Sequence, residues 1–281
     1  MSIAPAEYLR NCIRDYPKLK TKYTEFLDLY TQKLWHQLTS KVIHFSAEHS
    51  QRELFFTPAS AAAATTATTA TTTTTTILVA DLYTNFVARF AEKINQLSLV
   101  TIALAASVQM PVLEDRVALF SALCDSKALQ KDPAATVYAL AAKGRAYVAI
   151  ARREGGNGAA SSVTSRAAKA AVRASLIEAR AAMDQAQELI ETKVVGLQTV
   201  VFAEFYRLGL EYWWTRGALG LATDEDFFNS GLLYLKYAEF GARPGECEEV
   251  VATEETYFAA ELALAGIFGA SVFNLGELVN I

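Results

Sequence analysis

Bulky apolar residues recur at helical spacing along most of this chain. Phe26, Leu29, Leu34, Trp35, Leu38, Val42 and Phe45 follow one another mostly at intervals of three, four or five, which predicts one or two amphipathic helices near the start. Leu82, Phe86, Phe90 and Ile94 repeat every fourth residue and predict another apolar stripe. Strand-like alternation is almost absent. Only 14 Gly and 6 Pro punctuate the sequence, so helix is the strong local preference.

Helix starts fall where backbone chemistry expects them. Asp132 before Pro133 reads as an N-cap followed by a proline at the first helical position, where the missing N–H costs nothing. Pro111 is expected to open the helix carrying Val117, Phe120 and Leu123. Thr223 and Asp226 resemble a capping box, and Gly241 stands where a left-handed helix stop would fall. The predicted helices run near 5–15, 17–31, 32–48, 77–94, 97–109, 112–129, 133–152, 163–190, 196–219, 225–240 and 252–271. Successive helices with short links predict an all-α fold, an α-solenoid of stacked antiparallel helix pairs. The tetratricopeptide pattern is not sustained, so any repeats are degenerate.

Two segments interrupt the helices. Residues Thr57 to Thr76 are almost all Thr and Ala, too short in side chain and too polar to order by burial, and are expected to form a disordered surface insertion. Glu154 to Ser162 reads as a turn between helices; it follows a helix and lacks the Gly-Lys-Ser/Thr of a phosphate loop.

Charge and composition narrow the function. Lys and Arg total 26 against 30 Asp and Glu, a formal charge of −4, which argues against a nucleic-acid binder held by phosphate contacts. Cys12, Cys124 and Cys247 are far apart and odd in number, so neither a disulfide framework nor a cysteine zinc site is expected. The N-terminus has no apolar signal region, and the most apolar stretches, Leu97 to Met110 and Ala259 to Phe273, are too short to span a bilayer. A soluble intracellular protein is expected, with no membrane partner.

Candidate chemistry is thin. The three histidines, His36, His44 and His49, miss the i, i+4 geometry of a helical metal pair, and no nucleophile elbow accompanies them. His36 beside Trp35 reads as a packing or hydrogen-bonding residue. Glu246, Glu248, Glu249, Glu254 and Glu255 read as an exposed loop and helix start, where negative charge suits the helix dipole. Phe205, Tyr206, Tyr212, Trp213 and Trp214 read as a seam between stacked helices. No catalytic residue, cofactor or metal is assigned.

Four blocks carry a resemblance: Leu29 to Thr39 (LYTQKLWHQLT), Gln96 to Val100 (QLSLV), Phe205-Tyr206 with Tyr212-Trp213, and Leu262 to Leu278 (LALAGIFGASVFNLGEL). In this order and at these separations they resemble PCI-family subunits of the proteasome lid over nearly the whole chain, with residues 110 to 195 matching only as alanine-rich helix. The residues that carry it are Leu29, Trp35, His36, Leu38, Phe205, Tyr206, Tyr212, Gly266, Gly269, Phe273, Asn274, Gly276 and Glu277. The resemblance implies a non-catalytic scaffold in cytoplasm and nucleus. Residues 1–195 would form an N-terminal helical-repeat solenoid, and 196–281 would lead into the start of a PCI module. The implied partners are other lid subunits, including PCI neighbours, and the ubiquitin-receptor subunit.

Two departures accompany it. The Thr/Ala insertion replaces a short link, and the chain stops at Ile281 where the family continues through a winged helix, so a truncation is expected. Competing readings are a PCI-type scaffold of the COP9 signalosome or the translation initiation machinery, and a helical enzyme with a small-molecule pocket around Trp213 and Trp214. The blocks at Trp35 and Phe273 favour the proteasome.

Overall fold

The computed structural model describes residues 4–49, 78–155, 166–193, 197–219, 224–238 and 248–268. Among them are eleven α-helices, three short 3-10 segments and no strand, so the chain is all-α. The helices are α1 (Pro5–Asp15), α2 (Lys20–Thr31), α3 (Trp35–His49), α4 (Leu78–Asn85), α5 (Gln96–Val108), α6 (Leu113–Cys124), α7 (Pro133–Gly155), α8 (Arg166–Lys193), α9 (Thr199–Ala218), α10 (Asp224–Ala238) and α11 (Glu248–Phe268). They divide into two compact units that part between Pro111 and Val112. The Thr/Ala tract, Thr223 and Gly241 lie outside the described residues.

In the first unit α2 and α3 run antiparallel. Phe26 meets Phe45 edge-on at 5.6 Å, Lys22 pairs with Glu48, and Glu25 pairs with Lys41 at 2.9 Å. α5 is apolar on nearly every side and is accordingly the interior helix, packed by α3 and α4. Asn95 caps it, its Oδ1 accepting from the N–H groups of Leu97 at 2.9 Å and Ser98 at 3.2 Å.

The predicted single helix over 77–94 is broken. α4 stops at Asn85, and Val87–Lys93 is a 3-10 segment in which Phe90 has φ −125° and ψ 20°. The stripe survives the break, because Leu82, Phe86, Phe90 and Ile94 are all buried. Ring burial dominates regularity here: Phe86 and Phe90 meet at 4.9 Å and both contact Tyr30. The Gln96 side chain donates to the carbonyls of Ala91 and Ile94, each at 3.0 Å, satisfying acceptors the break releases.

In the second unit each helix runs against the one before it. Gly155 lies beside Val172 and Tyr147 beside Glu178, which sets α7 against α8; Arg180 on Trp213 sets α8 against α9. Phe202 stacks on Tyr237 and Trp214 meets Phe227 at a tilt, and then Gly231 lies beside Leu262 and Tyr234 beside Phe258, so α9, α10 and α11 alternate in the same way. This is an array of stacked antiparallel helices, as the sequence predicts. Helices on either side of residue 195 pack on one another within this unit.

Asp132 caps α7 as expected, its Oδ1 accepting from Ala134 N at 3.1 Å and Ala135 N at 3.2 Å. α6 opens at Leu113, two residues beyond Pro111, with Phe120 and Leu123 buried and Val117 half-buried.

Candidate interaction surface

The first resemblance block is the corner between α2 and α3. Lys33 takes the left-handed conformation, φ 59°. Around it the Leu34 N–H donates to Leu29 O at 3.0 Å and the Lys33 N–H to Tyr30 O at 3.2 Å, the paired bonds of a Schellman helix stop. The chain turns at once into α3, whose first residue, Trp35, stacks on Phe90 at 5.6 Å and meets Tyr30 edge-on at 5.7 Å. The Lys93 ammonium sits 4.9 Å over the indole. Trp35 is therefore the half-buried lid of an aromatic cluster. Leu38 is fully buried and Leu29 half-buried. His36 is exposed, because the turn of α3 that buries Leu38 points position 36 to solvent, so of the packing or hydrogen-bonding role expected for it the packing alternative does not hold.

Phe205 and Tyr212 are buried on α9, while Tyr206 is half-buried and stacks on Tyr237 of α10 at 5.6 Å. Trp214 meets Phe227 of α10 at 5.6 Å. These rings line helix seams. Gly266 is buried on α11; Gly269, Phe273, Asn274, Gly276 and Glu277 lie outside the described residues.

A buried charged layer joins α7 to α9, and the sequence reading missed it. The Arg145 guanidinium donates to Glu204 Oε2 at 2.8 Å and to Glu211 Oε1 at 2.9 Å, while Arg207 Nε donates to Glu211 Oε1 at 3.1 Å. Burial and the Arg207 charge work against the Arg145 cation; Glu211 and Glu204 outweigh both and hold it above its ordinary range. Arg152, near Glu211, is lowered by burial. On α9 the signal was present: Glu204, Arg207 and Glu211 recur at intervals of three and four between Val201 and Thr215.

Of the described thiols Cys12 is buried and Cys124 half-buried. Burial pushes Cys124 up to about 11 and raises Cys12. Among the described residues no cluster of His, Cys, Asp and Glu could hold a metal ion, and no helix is long and apolar enough to cross a membrane. The acidic group expected near residue 250 straddles the start of α11 at Glu248, while Glu246 lies outside the described residues.

Two guanidiniums lie over the half-buried Trp213 ring, Arg180 of α8 at 5.5 Å and Arg216 of α9 at 5.2 Å.

Compared with known families, residues 22–281 match the PSD13 N-terminal repeats. The chain belongs to this family. The chain is 24% identical over 277 residues to a Dictyostelium discoideum protein named 26S proteasome non-ATPase regulatory subunit 13, covering 98% of this chain and 56% of that one. An Arabidopsis thaliana protein, homolog A of the same subunit, is 25% identical over 280 residues, covering 99% and 58%. The Saccharomyces cerevisiae protein named 26S proteasome regulatory subunit RPN9 is 23% identical over 271 residues, covering 94% and 55%. The chain thus spans somewhat more than half the length of these relatives. The PSD13 match includes the α2–α3 corner, the charged layer and every described helix from α3 onward.

Proposed function

We propose that this chain is the helical-repeat part of a non-catalytic scaffold subunit in the lid of the 26S proteasome regulatory particle. The observation that carries this reading is the family match over residues 22–281, together with relatives named as proteasome regulatory subunits that align with 94% to 99% of the chain. Residues 1–195 act as the solenoid, and 196–281 extend it toward a PCI module. Its partners are other lid subunits, with PCI neighbours and the ubiquitin-receptor subunit among them, and it works in cytoplasm and nucleus.

Two features support a scaffold over an enzyme. Glu204 and Glu211, which acid/base chemistry would need free, are engaged by Arg145 and Arg207, and burial suppresses the thiolates of Cys12 and Cys124. The stacked antiparallel array offers long helix faces instead, the geometry that repeat proteins use for contact.

The deciding experiment mixes the purified 281-residue chain, or the same chain fused to the remaining C-terminal part of one of its relatives, with lid lacking this subunit. Incorporation of either form at one copy per lid is the expected result. Exclusion of both, or catalytic turnover by the chain, would overturn the reading.

A further inference from the structure

Four cations and two large apolar groups share one exposed face of the second unit. On α8, Lys169, Arg173, Ile177 and Arg180 stand at intervals of four, four and three, which places them on one face of the helix. The buried residues Val172, Leu176, Ala179 and Met183 form the stripe that flanks this face. Ile177 is 66% exposed, an unusual position for a β-branched aliphatic residue between two arginines. A cavity of about 410 Å³ runs beside Lys169, Arg173 and Ile177. Arg180 then leads onto α9 through the ring of Trp213, and Arg216 covers that ring 5.2 Å away.

The N-terminal half of this face is one-sidedly basic, and the acidic residues of the same face, Asp184, Glu188 and Glu191, follow beyond Arg180. Arg180 has Asp184 at 2.8 Å, but Lys169, Arg173 and Arg216 make no ion pair among the described residues. A chain of formal charge −4 therefore concentrates a surplus of positive charge here, around an aliphatic and an aromatic anchor. Trp and Arg are the side chains that dominate interface energetics, and a guanidinium laid on an indole keeps its N–H edge free for a carboxylate.

We propose that the outer face of α8, with Trp213 and Arg216 of α9, docks an acidic segment of a partner protein whose Asp and Glu side chains flank an aliphatic or aromatic residue. The carboxylates pair with Arg173, Arg216 and Lys169, and the apolar residue covers Ile177 beside the cavity. The exposed Ile177 beside the half-buried Trp213 distinguishes this surface from a purely electrostatic polyanion site, which needs only cations. The inference stands on this surface alone and does not depend on which assembly the chain joins.

The test is selection of a random 16-residue phage-displayed peptide library on the purified 281-residue chain, followed by synthesis of the most enriched peptide. Enrichment of Asp and Glu around a Leu, Ile or Phe is expected. Binding of the synthetic peptide should weaken at least tenfold in Arg173→Glu/Arg216→Glu and at least threefold in Ile177→Ser. These side chains are exposed or half-exposed, so the variants should keep the wild-type melting curve, and hydrogen-exchange protection by the peptide should map to Lys169–Arg180 and Trp213–Arg216. No enrichment, enrichment indifferent to acidic residues, or unchanged binding in the charge-reversed variant would overturn the proposal. Competition by a 16-nucleotide oligothymidylate at equal or higher affinity would replace it with a nucleic-acid surface.

Discussion

Glu211→Gln should destabilise the second unit severely while changing the shape of one side chain by almost nothing. Glu211 is 2% exposed and Arg207 1% exposed, so neither charge has bulk water as an alternative partner. Glu211 Oε1 accepts from Arg145 Nε at 3.1 Å, Arg145 Nη2 at 2.9 Å and Arg207 Nε at 3.1 Å. The amide removes the charge and turns an NH₂ group toward these donors, leaving Arg145 and Arg207 with only the Glu204 carboxylate of the layer's two. Removing one partner of a buried ion pair costs about 3–5 kcal/mol. In a unit of this size that lowers the melting midpoint by about 6–20 °C. The assay is thermal and urea unfolding followed by circular dichroism at the helical minimum. A companion variant replaces the whole layer, Arg145→Met/Glu204→Gln/Arg207→Met/Glu211→Leu. It should be the more stable of the two, because the two arginines and the two carboxylates of the layer leave together. A loss below about 1 kcal/mol for the single variant, or a larger loss for the fourfold one, would refute the reasoning.

Lys33→Gly should stabilise the first unit by about 1 kcal/mol in urea titration, because a left-handed residue with a Cβ carries strain that glycine lacks. Trp35→Ala should cost about 2–3 kcal/mol, less than a fully buried tryptophan, since the ring is half-buried and its partners are Tyr30, Phe90 and Lys93. In a Cys247→Ser background, Cys124 should react with iodoacetamide at pH 8 at least about a hundredfold more slowly folded than denatured. Its rate should climb about tenfold per pH unit toward its raised pKa of about 11, measured by mass spectrometry. Replacing Thr57–Thr76 by Gly-Ser-Gly should shift stability by no more than about 1 kcal/mol. The flanking helix ends share one clamp: Gln109 donates to His49 O at 2.7 Å and accepts from Val79 N at 2.8 Å. A larger loss would show that the tract is packed.

Most of the helices were legible because their signals are local. Asp132 and Pro133 announce the start of α7 from adjacent positions, and the Asp132 carboxylate does cap it. The misreadings arose where a local rule meets a distant partner. Phe86 and Phe90 obey helical spacing, yet their burial against Tyr30, on another helix, is what breaks the backbone between them. The stop between α2 and α3 was expected near residue 31, although no glycine marks it; Lys33 takes the left-handed position, and the Leu34 and Lys33 N–H groups close the turn on Leu29 O and Tyr30 O. The charged layer was half visible, because Glu204, Arg207 and Glu211 are too regular on α9 to be accidental exposure. Their counter-charge, Arg145, lies on α7, and nothing local ties it to them.

The same non-locality explains how stacked helices arise here without a consensus repeat. Gly144 of α7 lies where an added Cβ would come 2.7 Å from Leu208 of α9, and at Gly231 of α10 an added Cβ would overlap Leu262 of α11. Both crossings pair a missing side chain on one helix with a leucine on another, and that pair sets how closely the two axes approach there. A period would be needed only if every crossing used the same offset. Gly144 faces a helix two along the chain and Gly231 the next one, so the offsets differ and the pairing leaves no repeat to read. Apolar spacing therefore predicts that each helix forms, whereas complementary small and large residues on separate helices decide which one it stacks against.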